Sequence, residues 1–259
     1  ILFRGSSDLR LIAEDWDEED VVRGMNKFAQ QLTREGHRVV SATEDSTRTR
    51  PEFLKDIFQA GKDGGAVEFC IADTVGYADP AGIGKQVEWL RKEIADSGEF
   101  GIQYHGHDDT RNAVSNSIAA IKSGANTIHV TWLGVGERAG NTSIEGVLSD
   151  LERRGANKYD LSGLVEGSKA VAKAFGIDIP RNHPLVGEDV FRTGSGIHAA
   201  AIHKAHKQGN KDIEGIVYAA VDPAKVGRKH EVAISPQGGL HSVQWVLEEL
   251  QIPFTQELA

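Results

Sequence analysis

The stretch "GIQYHGHDDTRNAVSNSIAAIKSGA" (101–125) carries the most pointed chemistry in the chain. His105 and His107 stand one residue apart, and on a β-strand such residues project to the same face. Two neutral imidazoles at a strand end are a pattern that holds a metal ion. They are equally a pattern of two solvated strand-end side chains. Asp108 and Asp109 follow, then a helical pattern. Other polar clusters recur at comparable places: "TEDSTRTR", "ADTVGYADP" and "GVGERAGN" each follow an apolar, strand-like segment.

The elements that must position these clusters alternate. "ILFRG", "GHRVVSAT" (36–43), "AVEFCIADTVG" (66–76), "FGIQYHGH" (100–107) and "NTIHVTWLG" (126–134) read as strands, the third nearly continuous in apolar residues, as burial on both faces requires. Helical spacing runs through 18–35, where Val22, Met25, Phe28, Ala29 and Leu32 recur on one side. Further helices are expected from Pro51, from Pro80 to about Asp96, and over 110–123, 142–154 and 161–175, with proline well placed in a first turn. Strands alternating with helices of this length mean parallel β/α units. In such folds ligand chemistry gathers beyond the carboxyl ends of the strands, where the polar clusters fall. After about residue 176 the rhythm ends. We expect a catalytic α/β domain over 1–190 and a small α+β subdomain over 191–259.

Bulk composition narrows the class. The 259 residues include 39% hydrophobic ones, enough for an ordinary core rather than disorder. A net charge of −9 with no basic face argues against nucleic acid as partner. No apolar run reaches transmembrane length and no signal peptide is evident, so neither a membrane nor export is expected and a cytoplasmic location follows. Cys70 is the single cysteine. It therefore forms no intrachain disulfide or cysteine zinc cluster, and inside an apolar strand it is a poor nucleophile. The glycines of "GVGERAGN" permit a tight loop but form no phosphate-binding P-loop.

Taken together, "TEDSTRTRPEF", "ADTVGYADP", "HGHDDTRNAVSNSIAAIKSGA", "GVGERAGNTSIEGVL", "VGEDVFRTGSGIHAAAI" and "DPAKVGR" resemble the 2-isopropylmalate synthase family, whose wider group includes homocitrate and citramalate synthases on metal-dependent (β/α)8 TIM barrels. The resemblance is collinear over essentially the whole chain. It implies a Claisen-type condensation of acetyl-CoA, as co-substrate, with a 2-oxo acid, releasing CoA; the expected acid is 2-oxoisovalerate, giving 2-isopropylmalate for leucine biosynthesis, with homocitrate or citramalate synthesis as the alternative. Family members begin with a D-x-T-L-R-D-G strand that supplies a metal aspartate and a substrate arginine. No such motif occurs here. "ILFRGSSDLR" resembles the third barrel strand, so the first two β/α units are expected to belong to a longer protein of which this chain is a fragment.

The resemblance also implies roles. His105, His107 and Asn141 would hold a divalent metal, Mg, Mn or Zn by the donor set; Asn141 could equally cap the helix after it. His198 of the S-G-I-H stretch is the base-related histidine, supported by Tyr218, with Glu44 in the acid–base network and Asp45 as its alternative. Thr74 and Arg138 would contact substrate, although Glu137 and Arg138 also read as an internal ion pair. Bland roles compete throughout: a buried helix-start histidine, a packing aromatic, a solvated carboxylate, a turn-capping threonine. Family members usually dimerise, which would let His198 and Tyr218 act on the partner's site. Two departures stand out, "SPQGGLHSV" in the tail and alanine after S-G-I-H, and they point to a divergent subgroup. Lyases that share the barrel place a catalytic cysteine where this chain has "GVGERAGN". A non-catalytic binding or assembly protein on the same barrel is the alternative of another class.

Overall fold

The computed structural model describes residues 1–95 and 99–255. They form two compact units, the first through Val147 and the second from Leu148 onward.

The first unit is built of β/α repeats. Its elements are β1 (Leu2–Gly5), α1 (Asp8–Glu14), α2 (Glu18–Arg34), β2 (Val40–Glu44), α3 (Pro51–Asp63), β3 (Glu68–Asp73), α4 (Pro80–Glu93), β4 (Gly101–Gly106), α5 (Ala113–Lys122) and β5 (Thr127–His129). The strands pair in sequence order, β1-β2-β3-β4-β5, and every pairing is parallel. This is the α/β architecture of a (β/α)8 barrel, represented here by five strands.

Helix starts follow local chemistry. Asp17 and Asp79 accept hydrogen bonds from the backbone N–H groups of Asp20 and Gly82, satisfying otherwise orphaned donors. Pro51 and Pro80 occupy the first turns, where no N–H is needed. Helix α1 has no counterpart in the expected pattern. Its seven residues are too few for periodicity to show, and its capping residue Ser7 is the only strong local signal.

Alternation along the strands sorts two environments. Phe69, Ile71, Ile102 and Tyr104 point to the helices and share a core with Leu54, Phe58, Ile83, Val87 and Leu90, all essentially inaccessible to water. The intervening positions face the other way. There Val40, Ala42 and Cys70 make a small apolar floor, and Glu68, Gln103, His105 and His129 share that face of the sheet, His105 directly opposite His129 and Gln103 opposite Cys70. Near-continuous apolarity in β3 thus reflects burial on both faces.

The fifth strand is shorter than the expected 126–134. It ends at His129, and Leu133 turns into left-handed backbone with φ 56°. The Leu133 N–H donates to both carboxylate oxygens of Glu145, each at 3.0 Å, so the chain leaves the sheet to reach this partner. The expected end of the fourth helix at Asp96 lies outside the described residues. No helix among them is long and apolar enough to cross a membrane.

Helix α6 (Ile144–Arg153) leads into the second unit, which holds α7 (Leu164–Phe175), β6 (Arg192–Thr193), α8 (Gly196–Lys207), α9 (Lys211–Ile216), β7 (Glu231–Val232) and α10 (Leu240–Glu249). Its β6–β7 pair is a separate two-stranded parallel sheet. Ala199, Ile202, Val232 and Trp245 form its core.

Candidate functional site beyond the carboxyl ends of β3 and β4

Strand β4 delivers both histidines to one place, as its two-residue period requires. His105 lies on the strand and His107 just after it, bridged antiparallel to Asn141. Their Nε2 atoms are 3.3 Å apart. A cation bonded to both at about 2.1 Å would subtend roughly 100° between them, a normal coordination angle. Burial, with the neighbouring His107 and His129 rings adding to it, lowers the His105 pKa to about 4. Burial first, then Arg138, also lowers that of His107. Both rings are therefore neutral at pH 7, the form that binds metal. The buried Nδ1 of His107 has no hydrogen-bond partner among the described residues. The Nε2 spacing and the neutral rings fit a divalent cation between them, and the unpartnered Nδ1 is the nitrogen remote from it. No group of three or more His, Cys, Asp or Glu side chains converges on one metal position among the described residues, so the pair with Asn141 is the extent of the donor set seen here.

Asn141 sits beside the pair through a tight loop. The carbonyl of Gly134 accepts from the Asn141 N–H at 2.9 Å, and the carbonyl of Gly140 accepts from Asp108 N–H at 2.9 Å. Asn141 is nearly buried. Its amide nitrogen, rather than its oxygen, faces His105 Nε2 at 3.4 Å and donates to the Gly106 carbonyl at 3.3 Å. Binding a cation through oxygen would take a half-turn of the amide.

The other expected residues are placed as follows. Arg138 has left-handed backbone and donates to Asp109 at 2.9 Å, to Glu137 at 3.5 Å and to the Thr74 carbonyl; the side chain ties three loops together. The Thr74 hydroxyl accepts from Asp45 N–H at 2.8 Å. Glu44 lies 3.3 Å from Arg10. Asp45, its alternative, is buried, accepts from the Ser7 hydroxyl and pairs with Arg48. In the second unit His198 and Tyr218 are brought together: their rings stack at 3.9 Å between centroids with 30° between planes.

Two residues escaped the sequence reading. Asp73, at the end of β3, is fully buried. It accepts from Thr47 at 2.7 Å and from Tyr77 N–H at 2.9 Å. Burial raises its pKa while these donors oppose the rise. Its position in "ADT", at a strand's last residue, was the available signal. His129 lies beside His105 on the neighbouring strand, its Nδ1 3.3 Å from that of His105. Only knowledge of the register could have revealed it.

Parallel β/α units with polar side chains collected beyond their carboxyl ends are the arrangement in which α/β folds carry their ligand chemistry. The chain belongs to the HMGL-like family, whose sequence profile matches residues 3–171. A second profile, described as alpha-isopropylmalate synthase, post-catalytic domain-like, matches residues 188–248. Among relatives, a 2-isopropylmalate synthase of Acetivibrio thermocellus is 35% identical over 266 residues, covering 99% of this chain and 50% of that protein. A homocitrate synthase of Methanopyrus kandleri is 33% identical, covering 100% and 62%. The chain spans about half the length of the curated 2-isopropylmalate synthases it matches. Hydroxymethylglutaryl-CoA lyase from Pseudomonas aeruginosa has a similar fold, with a TM-score of 0.59 at 17% identity over 68% of this chain and 63% of that one.

Proposed function

We propose that the protein is an acyltransferase that condenses acetyl-CoA with a 2-oxo acid and releases CoA, with 2-oxoisovalerate as the acceptor and 2-isopropylmalate as product. The observation that carries this reading is the His105–His107 pair, with ring nitrogens 3.3 Å apart at the carboxyl end of β4 and the Asn141 loop against them. Family membership and the names of the relatives support it. Relatives named homocitrate synthase and putative (R)-citramalate synthase, at 33% and 32% identity, favour homocitrate or citramalate synthesis as the second reading.

In this reading His105, His107 and, after rotation of its amide, Asn141 hold a divalent cation, Mg, Mn or Zn. When bound, that cation supplies Lewis acidity toward the keto and carboxylate oxygens of a chelating 2-oxo acid. The residues keep the site in order: the imidazoles stay neutral through burial, and Arg138 fixes the loop that carries Asn141. Glu44 and Thr74 stand at adjacent strand ends as acid–base and substrate-contacting groups. His198 serves as the base toward the thioester methyl group, with Tyr218 stacked on it, from a C-terminal subdomain over 191–259 that follows a catalytic region over 1–190. The enzyme works as a cytoplasmic homodimer.

The test is thiol release from acetyl-CoA by the full-length protein across a panel of 2-oxo acids, with and without added Mg, Mn or Zn. Turnover that needs both a 2-oxo acid and a divalent cation, and that is abolished in His107→Ala with the fold retained, is expected. No release with any acid overturns the proposal, and preference for an acid that yields homocitrate or citramalate selects the second reading.

A further inference from the structure

A line of polar side chains runs along the inner face of the sheet and ends at His105. Arg38 donates to Glu68 through Nε at 2.8 Å and through Nη2. Gln103 Nε2 donates to the other oxygen of Glu68. Gln103 Oε1 lies 2.9 Å from His129 Nε2, and His129 Nδ1 lies 3.3 Å from His105 Nδ1. The opposite ring nitrogen of His105, Nε2, faces His107 Nε2 at 3.3 Å.

The hydrogen positions along this line are determined from one end. An ionised carboxylate can only accept. Burial pushes the Glu68 pKa up, but the bonds from Gln103 and Arg38 outweigh it and hold the group ionised. Gln103 must then turn its NH2 toward Glu68, because the reverse amide orientation would set oxygen against carboxylate. Its oxygen faces His129 Nε2, which must carry a hydrogen. A neutral imidazole has one N–H, so His129 Nδ1 is a bare acceptor. The facing Nδ1 of His105 must then be the donor, which leaves His105 Nε2 with an exposed lone pair.

We infer that His129, Gln103 and Glu68 are positioning residues whose hydrogen-bond chain holds His105 in its Nδ1–H tautomer, aiming the Nε2 lone pair at a divalent cation shared with His107. The cation rests on the reading given under Proposed function; the tautomer does not. A histidine ligand oriented through its remote nitrogen keeps ring angle and basicity fixed, and loss of such a partner commonly weakens metal binding about 10–100-fold.

The experiment compares the full protein with His129→Phe, His129→Asn and Gln103→Leu. In metal-free samples carrying 15N-labelled histidine, long-range 1H–15N spectra report the His105 tautomer. The wild type should be Nδ1–H, and His129→Phe and Gln103→Leu should give a mixture. His129→Asn, whose amide oxygen stands where Nδ1 stood, should restore the wild-type signature. Zn²⁺ or Co²⁺ titration should show affinity lost by about 10–100-fold in His129→Phe and largely recovered in His129→Asn. Should His129→Phe fail to fold, Gln103→Leu gives the same readout. An unchanged Nδ1–H tautomer in the leucine or phenylalanine variant overturns the inference. Tautomer shifts as expected without cation binding by any form, wild type included, would refute the metal site while leaving the hydrogen-bond chain standing.

Discussion

Gly140→Ala should be far more damaging than its size suggests, because the loop that delivers Asn141 closes on this residue. Gly140 has φ +95°, and a Cβ there would lie 2.1 Å from the Gly134 carbonyl oxygen. That oxygen accepts from the Asn141 N–H. Positive φ alone costs an alanine about 1–2 kcal/mol. The clash cannot be relieved by a flexible side chain, since the obstacle is backbone. Displacing the carbonyl sacrifices the bond to Asn141, worth about 1 kcal/mol net and more if the donor is left buried. The sum is about 2–4 kcal/mol. Gly36→Ala is the control: its φ is +84° and nothing lies within 4 Å of the added carbon, so only the conformational cost applies. Both variants gain the same unfolded-state stiffening, which cancels in the comparison. Urea unfolding with unchanged slopes should show Gly140→Ala less stable than Gly36→Ala by about 1–3 kcal/mol, since only the steric and hydrogen-bond costs differ. Equal midpoints for the two variants would refute the reasoning about the loop.

Cys70 is fully buried and its thiol pKa is pushed up to about 12 by desolvation, so a disulfide reagent should label it only in denaturant; rapid stoichiometric labelling of the native protein would contradict the fold. Phe69 packs between Phe58 and Phe100, with ring centroids 5.6 and 5.8 Å away. Phe69→Ala should cost about 3–5 kcal/mol by urea unfolding, and a loss under about 1 kcal/mol would show that the helix-facing core is not packed as described. The His105 pKa falls from 6.5 to about 4 on folding. The unfolded chain then binds more protons between those values, so stability should be fully present above pH 6.5 and decline as pH falls toward 4. Unfolding midpoints from pH 7.5 to 4.5 should show a shallower acid decline in His105→Gln, and parallel curves would refute the assignment.

What the sequence made legible was whatever depends on one segment at a time. The two-residue period put His105 and His107 together before any tertiary contact was known, and apolar strand cores flanked by helical spacing gave the parallel sheet. The left-handed turn at Leu133 was hidden because its cause, the Glu145 carboxylate, is twelve residues away in sequence. His129 was hidden for a related reason: its value depends on which residue of β4 stands opposite, and parallel register leaves no mark on either strand alone. Glu68 and Gln103 looked like ordinary strand residues, because the side-chain hydrogen bond that joins them runs diagonally between β3 and β4, Gln103 itself standing opposite Cys70. Arg138, expected at substrate or in an ion pair with Glu137, joins the Asp109, Glu137 and Thr74 loops through contacts up to 64 residues apart in sequence, which no single segment displays.

Because β4 assigns even positions to the helix-packed core and odd positions to the polar interior, its reading frame is a structural quantity. Losing or gaining one residue between Gly101 and Gly106 would send Ile102 and Tyr104 into the polar interior and drive Gln103 and His105 into hydrocarbon. A one-residue change of length within that six-residue stretch should therefore prevent folding, however conservative the inserted side chain.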